Sequence, residues 1–214
     1  CCMSQNCGIP QEKWLTNIHG GTFILKSTSG RLEGPYEITT GYPLTYSIDA
    51  RIFEEEDGTL YFYWLNGNIG RLNNDLTALE EVHKTWQAEY GHEQGAGEGV
   101  HIFKHNGLYH LVLSIQAKVY KDRTTYKKNH AEKPEMVTYD AVVATSKDLY
   151  GPYQQRYTSI TNGGHGNHFM DKQGNWWGCV FYDNDPENNK NIPAVRPYLI
   201  PMQWEGDKIF PKHN

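Results

Sequence analysis

Long apolar runs are absent from this sequence, and none approaches the roughly 18 residues of a membrane-spanning helix. A stripe of Lys and Arg is also missing, and the net charge of −5 is mild, so nucleic acid is not an expected partner. Cysteine is scarce: three crowd the first seven residues and Cys179 stands alone, which is not a spaced disulfide framework. Residues 1–7 lack the basic and apolar leader of a signal peptide.

Helical periodicity is nearly absent too, and short apolar or aromatic runs are punctuated by Gly, Asn and Asp. A turn followed by an apolar strand recurs three times, with its glycine at Gly58, Gly107 and Gly174. In the clearest copy, Asn106-Gly107 stands between two alternating apolar runs, which is the strongest short-range signal for a β-hairpin. A second motif, Gly-Pro-Tyr, closes two similar segments, and a degenerate relative of it covers residues 70–76.

Strand-built repeats of this order predict β-propeller blades of about four strands each. We therefore predict an all-β fold and a single domain over residues 1–214. Residues 14–37 resemble the back half of a unit, and three fuller units follow. Since a ring needs about four blades or more, we expect an incomplete propeller of about three to four blades. The insert from Lys118 to Tyr139 is basic, polar and Pro-containing, and is predicted to be a surface loop.

Three polar residues occupy equivalent places, at or near the start of the first strand of successive units: Asp49, Glu98 and His165. Because the innermost strands of a propeller converge on its axis, we expect these side chains to share one site although they are far apart in sequence. Taken alone, Glu98 could be an ordinary exposed loop glutamate, and Asp49 could bind local backbone at the start of a strand.

Two carboxyl groups and a histidine in one site suit the hydrolysis of glycosidic bonds. One carboxyl group must be protonated so that it can donate to the leaving oxygen, and a neighbouring carboxylate raises its pKa and keeps that proton in place. We assign Glu98 as the general acid and Asp49 as the residue that modulates its pKa. The 15 Tyr and 6 Trp, many in Gly-rich polar settings, suit a sugar-binding surface, although a β-rich core also prefers aromatic residues.

The segments around these residues resemble glycoside hydrolase family 43, over roughly residues 20 to 212. Ser47 to Phe53 is similar to the segment of the pKa-modulating aspartate, and Glu98-Gly99 with its hairpin is similar to the general-acid segment. Gly164-His165-Gly166 resembles the central histidine motif, which implies substrate contact and a calcium or other cation held through water. Arg196 resembles the substrate-binding arginine, although a structural ion pair would also suit it.

The resemblance implies a five-bladed β-propeller that cleaves arabinose- and xylose-containing glycans with inversion. It implies an oligosaccharide or polysaccharide partner and a secreted, periplasmic or cell-surface location. Two departures stand out: Ala50 and Val100 replace prolines that are usual in the family. The family's general base is an aspartate of the first blade, and residues 1–19 contain no aspartate. We therefore expect the first blade and the base to be missing from this chain, and hydrolysis to be impaired.

Two other interpretations fit the same residues. One is a non-catalytic propeller that binds glycans with the acid-side pocket. The other is a related five-bladed glycosidase that acts on a different sugar. The sequence does not distinguish these, because long loops set the sugar and the linkage in such folds.

Overall fold

The computed structural model describes residues 21–85, 94–119, 136–181 and 197–212, and within them the chain forms antiparallel β-sheets with no α-helix. One sheet has two strands and three sheets have four strands each. We name the four-stranded sheets blades A, B and C in chain order. The strands are β1 (Leu25–Ser27) and β2 (Tyr36–Ile38); in blade A, β3 (Arg51–Glu54), β4 (Leu60–Trp64), β5 (Asn68–Leu72) and β6 (Leu79–Lys84); in blade B, β7 (Gln94–His105), β8 (Leu108–Val119), β9 (Met136–Ser146) and β10 (Gln154–Ile160); in blade C, β11 (Asn167–Met170), β12 (Trp176–Phe181), β13 (Pro197–Glu205) and β14 (Lys208–Pro211).

Each blade is an up-and-down meander, because its four strands pair in the order in which the chain makes them. This arrangement is the repeating unit of a β-propeller. The prediction of an all-β, incomplete propeller is therefore confirmed, with three complete blades and a two-stranded sheet among the described residues. No helix in this part of the chain has the length and apolarity needed to span a bilayer.

The predicted hairpin turns lie between the first and second strands of all three blades. Gly58, Gly107 and Gly174 have φ angles of 83°, 73° and 85°, in the left-handed region that favours glycine. Asn106 is also left-handed at 49°, so Asn106-Gly107 has the positive φ pair of a type I′ turn. The turn chemistry read from the sequence thus sets the register of each inner hairpin.

The Gly-Pro-Tyr motif lies elsewhere in the sheets: it ends the link from β1 to β2 and the link from β9 to β10. The Tyr153 hydroxyl donates to the Leu149 carbonyl at 2.8 Å, and Tyr36 makes the same bond to Leu32. The degenerate copy at residues 70–76 runs through the link from β5 to β6. All three copies therefore join the last two strands of a sheet.

The predicted bounds of the surface loop, Lys118 to Tyr139, are wrong at both ends. Strand β8 continues to Val119 and strand β9 begins at Met136, and these two residues are paired in register. An antiparallel ladder needs only backbone hydrogen bonds, so polar side chains can extend it beyond the core. Tyr139 consequently lies on a strand, where its position is set by the sheet.

The core lies between the faces of neighbouring blades. Tyr63 and Ile69 of blade A pack with Leu111 and Leu113 of blade B, and all four are almost fully buried. A second cluster joins blades B and C through residues that include Phe103, Val143, Ile160, Val180, Met202 and Ile209. Strands β3 and β11 both contact β7, so the first strands of the three blades are neighbours.

Candidate active site

The three predicted residues meet where the first strands of the blades are neighbours. Asp49 lies just before β3, Glu98 lies on β7, and His165 lies just before β11. One polar atom of each lies within 4.8 Å of the others, so the spatial prediction made from equivalent strand positions is confirmed as geometry. Glu98 differs in one detail, because β7 begins at Gln94 and the ladder is irregular on both sides of Glu98.

Asp49 is tied to the next blade and not to its own loop. Its Oδ2 accepts a hydrogen bond from the backbone N–H of Gly99 at 3.1 Å, and its Oδ1 lies 3.6 Å from Nε2 of His165. Its side chain is 13% exposed, and its backbone is left-handed at φ 59°. A non-glycine residue in that conformation is strained, and such strain clusters at functional sites. The alternative of an aspartate that binds local backbone does not describe this contact.

Glu98 presents a half-exposed carboxylate to the same site. Its side chain is 47% exposed, and Oε2 lies 4.0 Å from Nδ1 of His165. The following residue, Gly99, has φ 57°, and a Cβ there would lie 2.9 Å from the His165 Cα and 3.1 Å from the Ser114 hydroxyl. A glycine is therefore required for the backbone behind Glu98 to pass close to the histidine loop.

His165 is held by a tight loop between β10 and β11. Its backbone N–H donates to the Ser114 hydroxyl, and its own φ is 55°. A Cβ on Gly164 would lie 2.4 Å from the Tyr139 ring, and one on Gly166 would lie 2.3 Å from the Cys179 carbonyl oxygen. The glycines on both sides let the loop pack closely, so that the imidazole between them points at the two carboxylates.

Tyr139 is a site residue that sequence reasoning missed. Its hydroxyl donates to Oε2 of Glu98 at 3.1 Å and lies 3.3 Å from Nδ1 of His165. Burial, and then the negative charge of Glu98, raise the pKa of the Tyr139 hydroxyl above its ordinary value, so it keeps its proton. The available signal was an aromatic residue two positions before the apolar run that starts at Ala141.

The family model described as glycosyl hydrolases family 43 matches residues 7–210. The chain belongs to glycosyl hydrolase family 43. A curated relative, the Beta-D-galactofuranosidase xynD of Aspergillus niger, is 32% identical over 105 residues, which are 44% of this chain and 29% of that protein.

Solved structures share the fold of this family 43 chain. An endo-1,4-beta-xylanase from Bacteroides thetaiotaomicron superposes with a TM-score of 0.62 at 22% identity, covering 86% of this chain and 65% of that one. An exo-1,5-alpha-L-arabinanase from a bovine ruminal metagenomic library superposes with a TM-score of 0.61 at 16% identity, covering 88% of this chain and 66% of that one. A bifunctional GH43-CE protein of Bacteroides eggerthii superposes with a TM-score of 0.65 at 20% identity. That match covers 86% of this chain and 22% of the other protein.

Other predicted residues of this family 43 chain lie outside the described residues. Arg196 is among them, and so are Trp86, Tyr90, His92 and Glu93, which precede Glu98 in a Gly-rich stretch and would suit either a sugar subsite or a loop anchor. Their assignments stay predictions.

The expected calcium fits the described side chains poorly as a directly coordinated ion. Calcium takes six to eight oxygen ligands, whereas this cluster offers two carboxylates and an imidazole. Both ring nitrogens of His165 already face protein partners, Tyr139 and Asp49. A cation held near His165 through water stays a prediction, and no step of the chemistry below passes through it.

Proposed function

We propose that this protein hydrolyses glycosidic bonds with inversion, in glycans that contain arabinofuranosyl or xylosyl units. The observation that carries the proposal is the meeting of Asp49, Glu98 and His165, from three successive blades, within 4.8 Å. Two carboxyl groups in one site suit a reaction that needs a proton donor beside a second acidic group. Membership of the family supports the same reaction.

Glu98 acts as the general acid. Its carboxyl proton passes to the glycosidic oxygen as the bond from the anomeric carbon to that oxygen breaks, and the leaving sugar departs as a neutral alcohol. A water molecule attacks the anomeric carbon from the opposite face and gives up its proton to a general base. Asp49 keeps the proton on Glu98 through its negative charge, and the base is not one of the residues of this cluster.

The remaining assignments follow from the same proposal. His165 and Arg196 contact the sugar, one from the loop before β11 and the other from the segment before β13. Residues 1–214 act as one propeller-type catalytic domain. Because plant glycans are extracellular polymers, the proposed place of action is the cell surface, the periplasm or the medium.

Hydrolysis of aryl glycosides by the isolated chain tests the reaction. We expect slow turnover of nitrophenyl α-L-arabinofuranoside and β-D-xyloside, and release of sugar with inverted anomeric configuration, observed by NMR. Loss of a general base costs roughly 10²–10⁴-fold in rate. If, as the sequence predicts, no general base serves the isolated chain, azide should accelerate the reaction by replacing the attacking water, and should yield a glycosyl azide of inverted configuration. Release of sugar with retained configuration would contradict the proposal.

Glu98→Gln gives the matched variant, because an amide of the same shape cannot donate the acid proton. We expect it to lose hydrolysis of phenyl glycosides and oligosaccharides, whose leaving groups need a proton, while it still binds arabino- and xylo-oligosaccharides in calorimetry. Fast, azide-independent turnover by the isolated chain that disappears in Glu98→Gln would support the reaction but refute the missing base. Fast hydrolysis of phenyl glycosides by Glu98→Gln would show that Glu98 is not the general acid.

The second candidate function is hydrolysis of glycosides of a different sugar, and the description of the curated relative favours galactofuranose. That relative is described as a β-D-galactofuranosidase. The substrate panel should therefore contain nitrophenyl β-D-galactofuranoside beside the pentosides. If the wild-type chain binds oligosaccharides but hydrolyses none of these glycosides, with or without azide, the non-catalytic binding interpretation holds instead.

A further inference from the structure

We propose that Tyr139 is a positioning residue for the general acid: its hydroxyl donates a hydrogen bond to Oε2 of Glu98, so that Oε1 carries the catalytic proton. The inference rests on the proposed function, in which Glu98 protonates the leaving oxygen. Its basis is the 3.1 Å contact from the Tyr139 hydroxyl to Oε2. A phenol has one proton, so the hydroxyl that donates to Glu98 can only accept from His165, whose Nδ1 lies 3.3 Å away.

These contacts define a directed chain of hydrogen bonds. The Tyr139 hydroxyl donates to Oε2 of Glu98, and in the tautomer of His165 that carries its proton on Nδ1, that N–H donates to the Tyr139 oxygen. Burial and the charge of Glu98 raise the pKa of Tyr139, which keeps the phenol neutral and a donor near neutrality. With Oε2 already accepting, the acid proton of Glu98 is left on the other oxygen, Oε1.

The phenol itself is held from several sides. The backbone N–H of Tyr139 donates to Oδ1 of Asn162 at 3.3 Å, and its carbonyl accepts from the N–H of Gly164 at 2.9 Å. Asn162 is in turn fixed by a bond from its own N–H to Oδ1 of Asp140 at 3.0 Å. The ring lies against Gly164, where a side chain would collide with it. The hydroxyl can therefore fix the rotamer of the Glu98 side chain, which is 47% exposed.

The sheet register places Tyr139 on the correct face. Glu98 pairs with Ser114 across β7 and β8, and Ser114 pairs with Ala141 across β8 and β9. Directly paired residues point to the same face, and so do residues two apart on one strand. Tyr139, two positions before Ala141, therefore shares the face of Glu98. A shift of β9 by one residue would turn the phenol away.

The test is the dependence of the rate on the leaving group in Tyr139→Phe, which removes the hydroxyl and keeps the ring. Dinitrophenolate leaves without a proton, whereas phenolate and sugar alkoxides need one from the acid. We expect Tyr139→Phe to lower kcat for phenyl glycosides and oligosaccharides about 10- to 100-fold, the effect of losing one hydrogen bond to a carboxyl group that becomes charged as it gives up its proton. Dinitrophenyl glycosides should change little, and KM should change little for all substrates. Azide is present throughout, so that a missing base does not limit the rate.

Two variants calibrate the result. Glu98→Gln should show the same leaving-group dependence with a larger loss on phenyl glycosides. Tyr153→Phe removes a hydroxyl from the same blade, where it donates to Leu149, and should leave every rate unchanged. An equal loss on all substrates in Tyr139→Phe, or no loss, would overturn the inference while wild type and Glu98→Gln still support the proposed function.

A crystal structure of Tyr139→Phe decides the matter even if no turnover is measurable in any variant. We expect the Glu98 carboxylate to leave its place beside His165 or to occupy several rotamers. A Glu98 side chain that stays ordered in the same rotamer without the hydroxyl would overturn the inference. Complete inactivity of wild-type protein with azide would by contrast count against the proposed function.

Discussion

At the scale of single residues, the site is unusual for its backbone. Asp49 and His165 both have left-handed φ angles, 59° and 55°, although neither is glycine. Such conformations are sparsely populated and persist only where the surroundings enforce them. The enforcing contacts are the bond from the Gly99 N–H to Asp49 and the bond from the His165 N–H to Ser114. The site is therefore held in place before any substrate binds.

Asp49→Asn tests the electrostatic role of this residue. The amide keeps an oxygen that can accept from Gly99, but it loses the negative charge beside Glu98. We expect a loss of kcat of about 10- to 100-fold on phenyl glycosides, since a charge in contact is worth a few kcal/mol at such a site. Steady-state hydrolysis of phenyl glycosides measures the loss. An unchanged kcat in Asp49→Asn would leave Asp49 with a purely structural role.

At the scale of elements, the loop before β11 and the β8–β9 hairpin form one unit. Gly164 bonds to the Tyr139 carbonyl, and Asn162 bonds to both the Tyr139 N–H and the Asp140 carboxylate. Burial raises the pKa of Asp140 above its ordinary value. These contacts connect the histidine of blade C to the strand that carries the phenol of blade B. A change at their interface should displace both side chains together.

Gly164→Ala tests that coupling. The added Cβ would lie 2.4 Å from the Tyr139 ring, so either the loop or the strand must shift. We expect a destabilisation of about 1–3 kcal/mol, the usual cost of overpacking, and a loss of activity. Thermal unfolding and the hydrolysis assay measure the two effects. Gly41→Ala is the matched control, because nothing lies within 4 Å of a Cβ there, and its melting temperature should stay within a degree or two of wild type.

Across the whole molecule, neutral histidines lie between the blades. Nε2 of His101 donates to the His168 carbonyl at 2.8 Å, which joins β7 to β11. His168 is 2% exposed and shares a hydrogen bond with the Ser159 hydroxyl at 3.0 Å. His110 is fully buried and stacks on Phe103. Burial lowers the pKa of His101 and of His110 to about 4, and that of His168 to about 3.

These values predict a loss of stability in mild acid. In the unfolded chain each histidine takes up a proton below about pH 6.5, whereas in the folded protein it stays neutral until about pH 4 or lower. The free energy of unfolding is therefore unaffected by these histidines above pH 6.5, and it decreases as the pH falls from 6.5 towards 4. Each histidine should cost on the order of 2 kcal/mol at pH 5 relative to pH 7.

Thermal unfolding at pH 7, 6 and 5 measures this loss, and we expect the melting temperature to fall by several degrees or more. His110→Phe keeps an aromatic ring beside Phe103 and removes one titrating group. Its melting temperature should depend less steeply on pH than that of wild type, whatever its absolute stability. Identical melting temperatures at pH 7 and pH 5 would contradict the assignment of these histidines as neutral in the folded state.

The local sequence determined much of this protein by itself. Asn106-Gly107 predicts a hairpin because a type I′ turn needs two successive left-handed residues, and Asn followed by Gly is among the few pairs that tolerate them. The repetition of that turn defines the blades. The equivalent positions of Asp49, Glu98 and His165 predict one site, because repeats around an axis bring equivalent strands together. Local turn chemistry and repetition are written in short segments, so they can be read without coordinates.

Only the tertiary structure decided the rest. Tyr139 reaches Glu98 because β9 pairs with β8 in one register, and that register was not predicted from the sequence of either strand. The same pairing turned the ends of a predicted loop into strand. The close passage of Gly99 beside His165 is likewise a contact between blades. Contacts between distant segments depend on register and packing, which no short stretch of sequence specifies.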